Sequence, residues 1–227
     1  PVVKGVDETY TFDEARDLYL DSLRPLGEEY RRAARTAFDQ RWIDVYPTPG
    51  KRAGAYSSGG AYDVHPYILL NYNGKYDDVS TLAHEMGHTL HSYYSNKNQP
   101  YPLADYSIFV AEVASTFNEA LLIDKMLGET EDDDLRLSLL MNYLDGIKGT
   151  VFRQTQFAEF ELRMHEMAEE GEPLTGDAFT KLYGDILREY YGHEQGVCHI
   201  DDLYAMEWAY IPHFYYNYYV YQYSTSF

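Results

Sequence analysis

One cysteine, Cys198, stands in 227 residues, which excludes an intrachain disulfide and agrees with a reducing compartment. No stretch approaches the roughly 18 consecutive apolar residues of a membrane span. Pro1-Val2-Val3 opens no signal-peptide pattern, so a soluble, cytoplasmic protein is expected. Positive charge is also scarce: 18 Lys and Arg face 37 Asp and Glu, a net charge of −19. Such a surface repels nucleic acid and anionic membrane and leaves neutral or cationic ligands as partners. The turn-rich residues 47–63 lack the G-x-x-x-x-G-K-[ST] order of a phosphate cradle and read as a loop. With no internal repeat and no interdomain linker, a single domain over residues 1–227 is expected.

What is present centres on Leu82-Ala83-His84-Glu85-Met86-Gly87-His88-Thr89-Leu90-His91. His84-Glu85-x-x-His88 is the H-E-x-x-H pattern. On a helix, residues four apart share one face, so both imidazoles can aim at one Zn²⁺, while Glu85 beside them is placed to take a proton from water. The composition, with 8 His, makes the pattern a chance event at a frequency of roughly 0.02. Its context agrees: polar N-cap candidates Ser80 and Thr81 follow Asp77 and Asp78, which predicts a helix from about residue 79 to about 95. His91 shares the same face. Three imidazoles from one straight helix cannot easily surround an ion tetrahedrally, so it reads as a packing or supporting histidine.

The flanking chain supplies scaffold and a third candidate ligand. Thr11 and Glu14 form a capping-box pattern ahead of a helix to about residue 40, kinked near Pro25. Tyr67–Asn71, bounded by Pro66 and Asn73-Gly74, predicts a strand, taken as an edge strand able to pair with an extended peptide. Tyr106–Leu127 predicts a helix with an apolar stripe of Phe109, Val113, Phe117 and Ala120. A carboxylate beside such a stripe needs a partner, and a zinc ion with two histidines lacks one protein ligand. Glu112 is the expected third ligand, with Glu119 the alternative; otherwise Glu119 would hydrogen-bond a ligand imidazole. Residues 135–170 read as one long helix or two joined near Gly146 and Gly149, and residues 177–191 as another. The last thirty residues carry Tyr204, Tyr210, Tyr215, Tyr216, Tyr218, Tyr219, Tyr221 and Tyr223. Tyrosines facing a cleft offer O–H donors on stiff apolar rings, so this cluster is expected to line a site.

Four blocks, residues 50–57, residues 82–99 with His84-Glu-Met-Gly-His88, residues 106–115, and Ile211-Pro-His-Phe-Tyr-Tyr-Asn-Tyr-Tyr-Val-Tyr-Gln-Tyr223, resemble the thimet oligopeptidase and oligoendopeptidase F family of zinc metallopeptidases. They are most similar to its oligoendopeptidase F branch. The resemblance implies a mainly α, zincin-like catalytic domain of packed helices, with a small β-sheet whose edge strand flanks the active-site helix. It implies one Zn²⁺ held by His84, His88 and Glu112, and an endopeptidase acting on oligopeptides by attack of a zinc-bound water that Glu85 activates. His213, Tyr218 and Tyr221 match positions that stabilise the oxyanion and bind substrate. Family members are much longer, so the chain is expected to be a catalytic core cut at both ends, with the remainder of the polypeptide as a partner. Another zincin hydrolase such as an aminopeptidase, or a non-catalytic metal- or peptide-binding fragment, are the competing readings.

Overall fold

The computed structural model describes residue 3 and residues 6–227, and the chain divides into two compact units, Pro1–Asp145 and Gly146–Phe227. It is mainly α-helical with one small sheet. Among the described residues no helix is long and apolar enough to cross a membrane.

In the first unit, α1 (Phe12–Ser22) starts at the expected capping box. The Glu14 N–H donates to Thr11 Oγ1 at 3.3 Å and the Thr11 N–H to the Glu14 carboxylate at 2.7 Å. The kink expected near Pro25 is a full break: Arg24–Leu26 forms a 3₁₀ turn, and Gly27, at φ 81°, opens α2 (Gly27–Asp39).

The sheet consists of β1 (Ile43–Asp44), β2 (Tyr56–Ser58) and β3 (Tyr67–Leu69) in the order β1-β3-β2. The strand expected at residues 67–71 is therefore the central one. Ile68 pairs with Ile43 on the parallel side and with Ser57 on the antiparallel side, so its backbone groups are already spent. The edge strand beside the third helix is β2, which arises within the stretch read as loop. Three residues among many turn formers carry too little period-2 pattern to mark a strand. Its position is fixed by α3 (Tyr76–Asn98), where the Ser57 and Thr89 hydroxyls lie 2.7 Å apart.

The unit is dominated by α3 (Tyr76–Asn98) and α5 (Ile108–Glu129), with a single turn, α4 (Tyr101–Ala104), between them and α6 (Asp133–Ile147) after them. α3 begins three residues before its predicted start because the Asp78 carboxylate accepts the Lys75 N–H at 2.9 Å, leaving Asp77 and Asp78 in the first turn. Leu82, Met86 and Leu90 of α3 pack with Leu122 and Met126 of α5, Tyr19 of α1, Leu23 just after it, and Ile68 and Leu70 of the sheet region. The stripe predicted on α5 faces the other way. Phe109, Val113 and Phe117 are exposed, whereas Glu112, Ser115, Asn118 and Leu122 form the buried face. Polar residues win that face because each has a partner there. Asn118, for example, accepts from Tyr19 Oη at 2.9 Å and donates to the Ala114 carbonyl at 2.7 Å.

The second unit opens with a π-helical turn, Lys148–Phe152, at the joint anticipated from Gly146 and Gly149. It continues through α7 (Arg153–Glu169) and α8 (Gly176–Tyr190). Two 3₁₀ segments, Asp202–Tyr210 and Pro212–Tyr215, and a short α9 (Tyr221–Ser226) carry the tyrosine-rich stretch. Its core is Phe157, Phe160, Tyr183, Ile186, Leu187, Ile200, Ile211 and Val220. Glu207 ties the first 3₁₀ segment to it, pairing with Arg153 and accepting from Tyr183 Oη at 2.6 Å.

Candidate metal centre

The one-turn spacing on α3 brings His84 Nε2 and His88 Nε2 to 3.1 Å from each other. Glu112 Oε2, from α5, lies 3.3 Å from the first and 3.5 Å from the second. Zinc–nitrogen bonds of about 2.0–2.1 Å at tetrahedral angles separate neighbouring donors by about 3.3 Å, so the set fits zinc in both chemistry and spacing. Among the described residues this is the group whose ligand atoms all fall within 4.8 Å of one another. Glu119 sits elsewhere. Its Oε1 is 2.5 Å from His84 Nδ1, which fixes the ring and leaves Nε2 with its lone pair toward the group, and Glu119 in turn accepts from Ser80 Oγ at 3.1 Å.

Electrostatics match this placement. Burial disfavours charge on His84, but Glu119, Glu112 and Glu85 outweigh it and raise its pKa. Glu112 is pushed up by burial and pulled down further by the two histidines and by Ser115, whose hydroxyl donates to Oε2 at 2.8 Å; the net shift is downward. Glu85, in contrast, is buried and held above the usual carboxylate range, mainly by desolvation. The neighbouring histidines and the backbone N–H of Ser57 in β2 temper that rise. A carboxylate moved toward neutrality is suited to proton transfer.

The approach of the two helices depends on Gly87. A Cβ there would stand 2.6 Å from the Ala114 carbonyl oxygen and 2.6 Å from Ser115 Cα, both backbone atoms of α5. This residue lies inside the motif, but its role is invisible from the motif alone, because it concerns a partner helix 27 residues on. His91 stacks on Tyr106 with centroids 3.7 Å apart and is not part of the ligand group.

A match to peptidase family M3 runs over residues 10–227. The chain belongs to peptidase family M3. It is 52% identical over its whole length to the oligopeptidase PepF of Bacillus subtilis (strain 168), covering 33% of that protein. A solved structure from Chlamydophila abortus is 49% identical with a TM-score of 0.78 over 97% of this chain, 37% of the other. The crystal structure of oligoendopeptidase-F from Enterococcus faecium is 36% identical with a TM-score of 0.61, covering 97% of this chain and 34% of that one. The chain thus spans about a third of the length of these relatives.

In this family M3 chain the remaining predicted site residues lie in the second unit. His213 sits in the second 3₁₀ segment with its ring 5.6 Å from Tyr219 and 6.2 Å from Tyr223, and Tyr221 opens α9. Tyr218 precedes it in a positive-φ conformation, 53°. Tyr204, Tyr210, Tyr215 and Tyr216 are exposed, in keeping with tyrosines that are not core. Besides Gly87, sequence reasoning missed Ser57 and Ser115, small hydroxyl residues that carry no signal until their neighbours are known.

Proposed function

We propose that this chain is the catalytic core of a zinc-dependent endopeptidase that hydrolyses internal bonds of short oligopeptides. The observation that carries the reading is the donor set: two imidazoles and one carboxylate at tetrahedral spacing, with a second carboxylate, Glu85, beside them and outside the set. His84, His88 and Glu112 would hold the ion. Zinc bound there supplies Lewis acidity, making water a better nucleophile at neutral pH and polarising a carbonyl. Glu85 takes the proton of the attacking water and delivers it to the leaving amine, a role its raised pKa suits. Glu119 keeps His84 in the tautomer and orientation a ligand needs. His213 and Tyr221 are assigned as donors to the carbonyl oxygen as negative charge builds there, and Tyr218 as a substrate-binding residue, on the family resemblance. The chain would work in the cytoplasm on extended, flexible peptides.

The test is Glu85→Gln on an N-blocked, internally quenched oligopeptide, with metal content measured in parallel. The expected result is zinc retained and turnover abolished. Full turnover in that variant would remove Glu85 as the base. Cleavage confined to unblocked peptides would convert the reading to an aminopeptidase.

A further inference from the structure

Two non-glycine residues among those described have positive φ, Arg41 at 58° and Tyr218 at 53°. For a bulky aromatic residue this left-handed region is a true outlier, since Cβ crowds the following carbonyl, and glycine would occupy it freely. A tyrosine kept there implies both that its side chain is needed and that its surroundings impose the conformation. Those surroundings are specific. Glu161 of α7 is 4% exposed and its Oε1 accepts the Tyr218 N–H at 2.7 Å. One helical turn on, His165 stacks its ring on the Tyr218 ring, 4.8 Å between centroids and 24° between planes. Gln222 Nε2 donates to the Tyr218 carbonyl at 2.9 Å, so both backbone polar groups of the residue are held. Two residues on, Val220 is fully buried in the second core and plugs the chain just before α9 begins at Tyr221.

We propose that Glu161 and His165 are positioning residues, which hold Tyr218 in its left-handed conformation and thereby set the turn that presents Tyr218 and Tyr221 to substrate. This rests on the reading of the tyrosine-rich segment as substrate-binding. A buried carboxylate is costly unless hydrogen-bonded, and here the backbone N–H it accepts is the one whose conformation requires restraint. The i,i+4 spacing of Glu161 and His165 places both on one face of α7, so a single helix grips the backbone and the ring of the same residue. Neither side chain touches a reacting atom in this scheme. Their effect is transmitted through the direction of the turn.

The experiment compares Glu161→Leu with Glu161→Gln in the zinc-loaded enzyme, reading kcat and KM separately together with zinc content. Glu161→Leu removes the acceptor at similar volume and is expected to lower kcat by about tenfold to a hundredfold with zinc unchanged, the scale of a displaced catalytic turn. Glu161→Gln keeps an amide oxygen that can accept the Tyr218 N–H and is expected to recover most of that loss. In a Tyr218→Gly background, where positive φ needs no restraint, Glu161→Leu should change kcat by less than about threefold. An equal loss in both backgrounds, or equal impairment by Leu and Gln, would overturn the proposal by making Glu161 a general packing residue. If Glu161→Leu does not fold, His165→Leu against His165→Phe repeats the comparison at a less buried position. Phe keeps the stack and should retain parental kcat, and a Leu variant as active as Phe would count against the proposal. The parent enzyme and Glu85→Gln are run alongside on the N-blocked oligopeptide: no turnover by the zinc-loaded parent defeats the peptidase reading, whereas turnover by the parent that is lost in Glu85→Gln, with a silent Glu161→Leu, defeats this inference alone.

Discussion

The two units solve the problem of placing side chains in opposite ways. In the first, the candidate ligands project from α3 and α5, helices of 23 and 22 residues whose backbones are internally satisfied and whose separation is set by contact at Gly87. In the second, His213, Tyr218 and Tyr221 sit on 3₁₀ segments, a left-handed residue and the start of a six-residue helix. Short irregular elements cannot fix a direction by themselves, and side chains from elsewhere in the unit, Glu161 and Glu207, take up the task. An ion tolerates little error in donor spacing, so rigid helices suit it. For donors to a transition state, the role proposed for the second set, a segment held at a few points leaves room for substrate to enter and product to leave.

Four changes would sharpen or break this contrast. The largest effect is expected from Tyr221→Phe. Loss of one oxyanion donor lowers kcat by about 10²–10³-fold, roughly 2.7–4 kcal/mol, while KM and zinc content stay near the parent values. A kcat within about threefold of the parent in steady-state assays would instead make Tyr221 a packing residue and direct the same test to Tyr218. Next, Gly87→Ala forces a methyl group into the backbone of α5 and should cost about 1–3 kcal/mol in a thermal or denaturant melt, while weakening zinc binding as Glu112 moves off the histidines. Parental zinc affinity in a folded Gly87→Ala protein would show that the ligand spacing does not depend on the helix approach. Glu119→Gln keeps the shape but loses the charge on His84, and zinc affinity measured by chelator competition should fall by about tenfold to a hundredfold. An unchanged affinity would leave Glu119 as a packing partner of Ser80 and His84 with no effect on the metal group. The smallest change is Thr11→Ala. Removing the cap of α1, a helix that carries none of the candidate site residues, should cost about 1 kcal/mol of stability and leave zinc content untouched. A drop in zinc content in that variant would tie the metal group to the whole unit rather than to α3 and α5.

Much of the first unit was legible in the chain because its signals are local. The capping box at Thr11 and Glu14, the H-E-x-x-H spacing and the helix carrying Glu112 are patterns within one or a few turns, and each reappears in place. The group whose ligand atoms fall together contains Glu112 and not Glu119, although the stripe that argued for Glu112, Phe109, Val113 and Phe117, is exposed. Which face of α5 is buried depends on what packs against it, and α3 offers polar partners as well as apolar ones. The strand at residues 67–69 was seen, but its place in the sheet was not. Rank in a sheet is a relation among segments, and β1 and β2 are two and three residues long. In the second unit the density of tyrosine could be read directly, whereas the left-handed Tyr218 and its hold by Glu161 and His165 could not. Residue type and spacing along the chain determined the donor chemistry and the helices that carry it. Only the folded chain decided the distances between those helices and the backbone angle at Tyr218, because both arise from atoms far apart in sequence meeting at van der Waals and hydrogen-bond range.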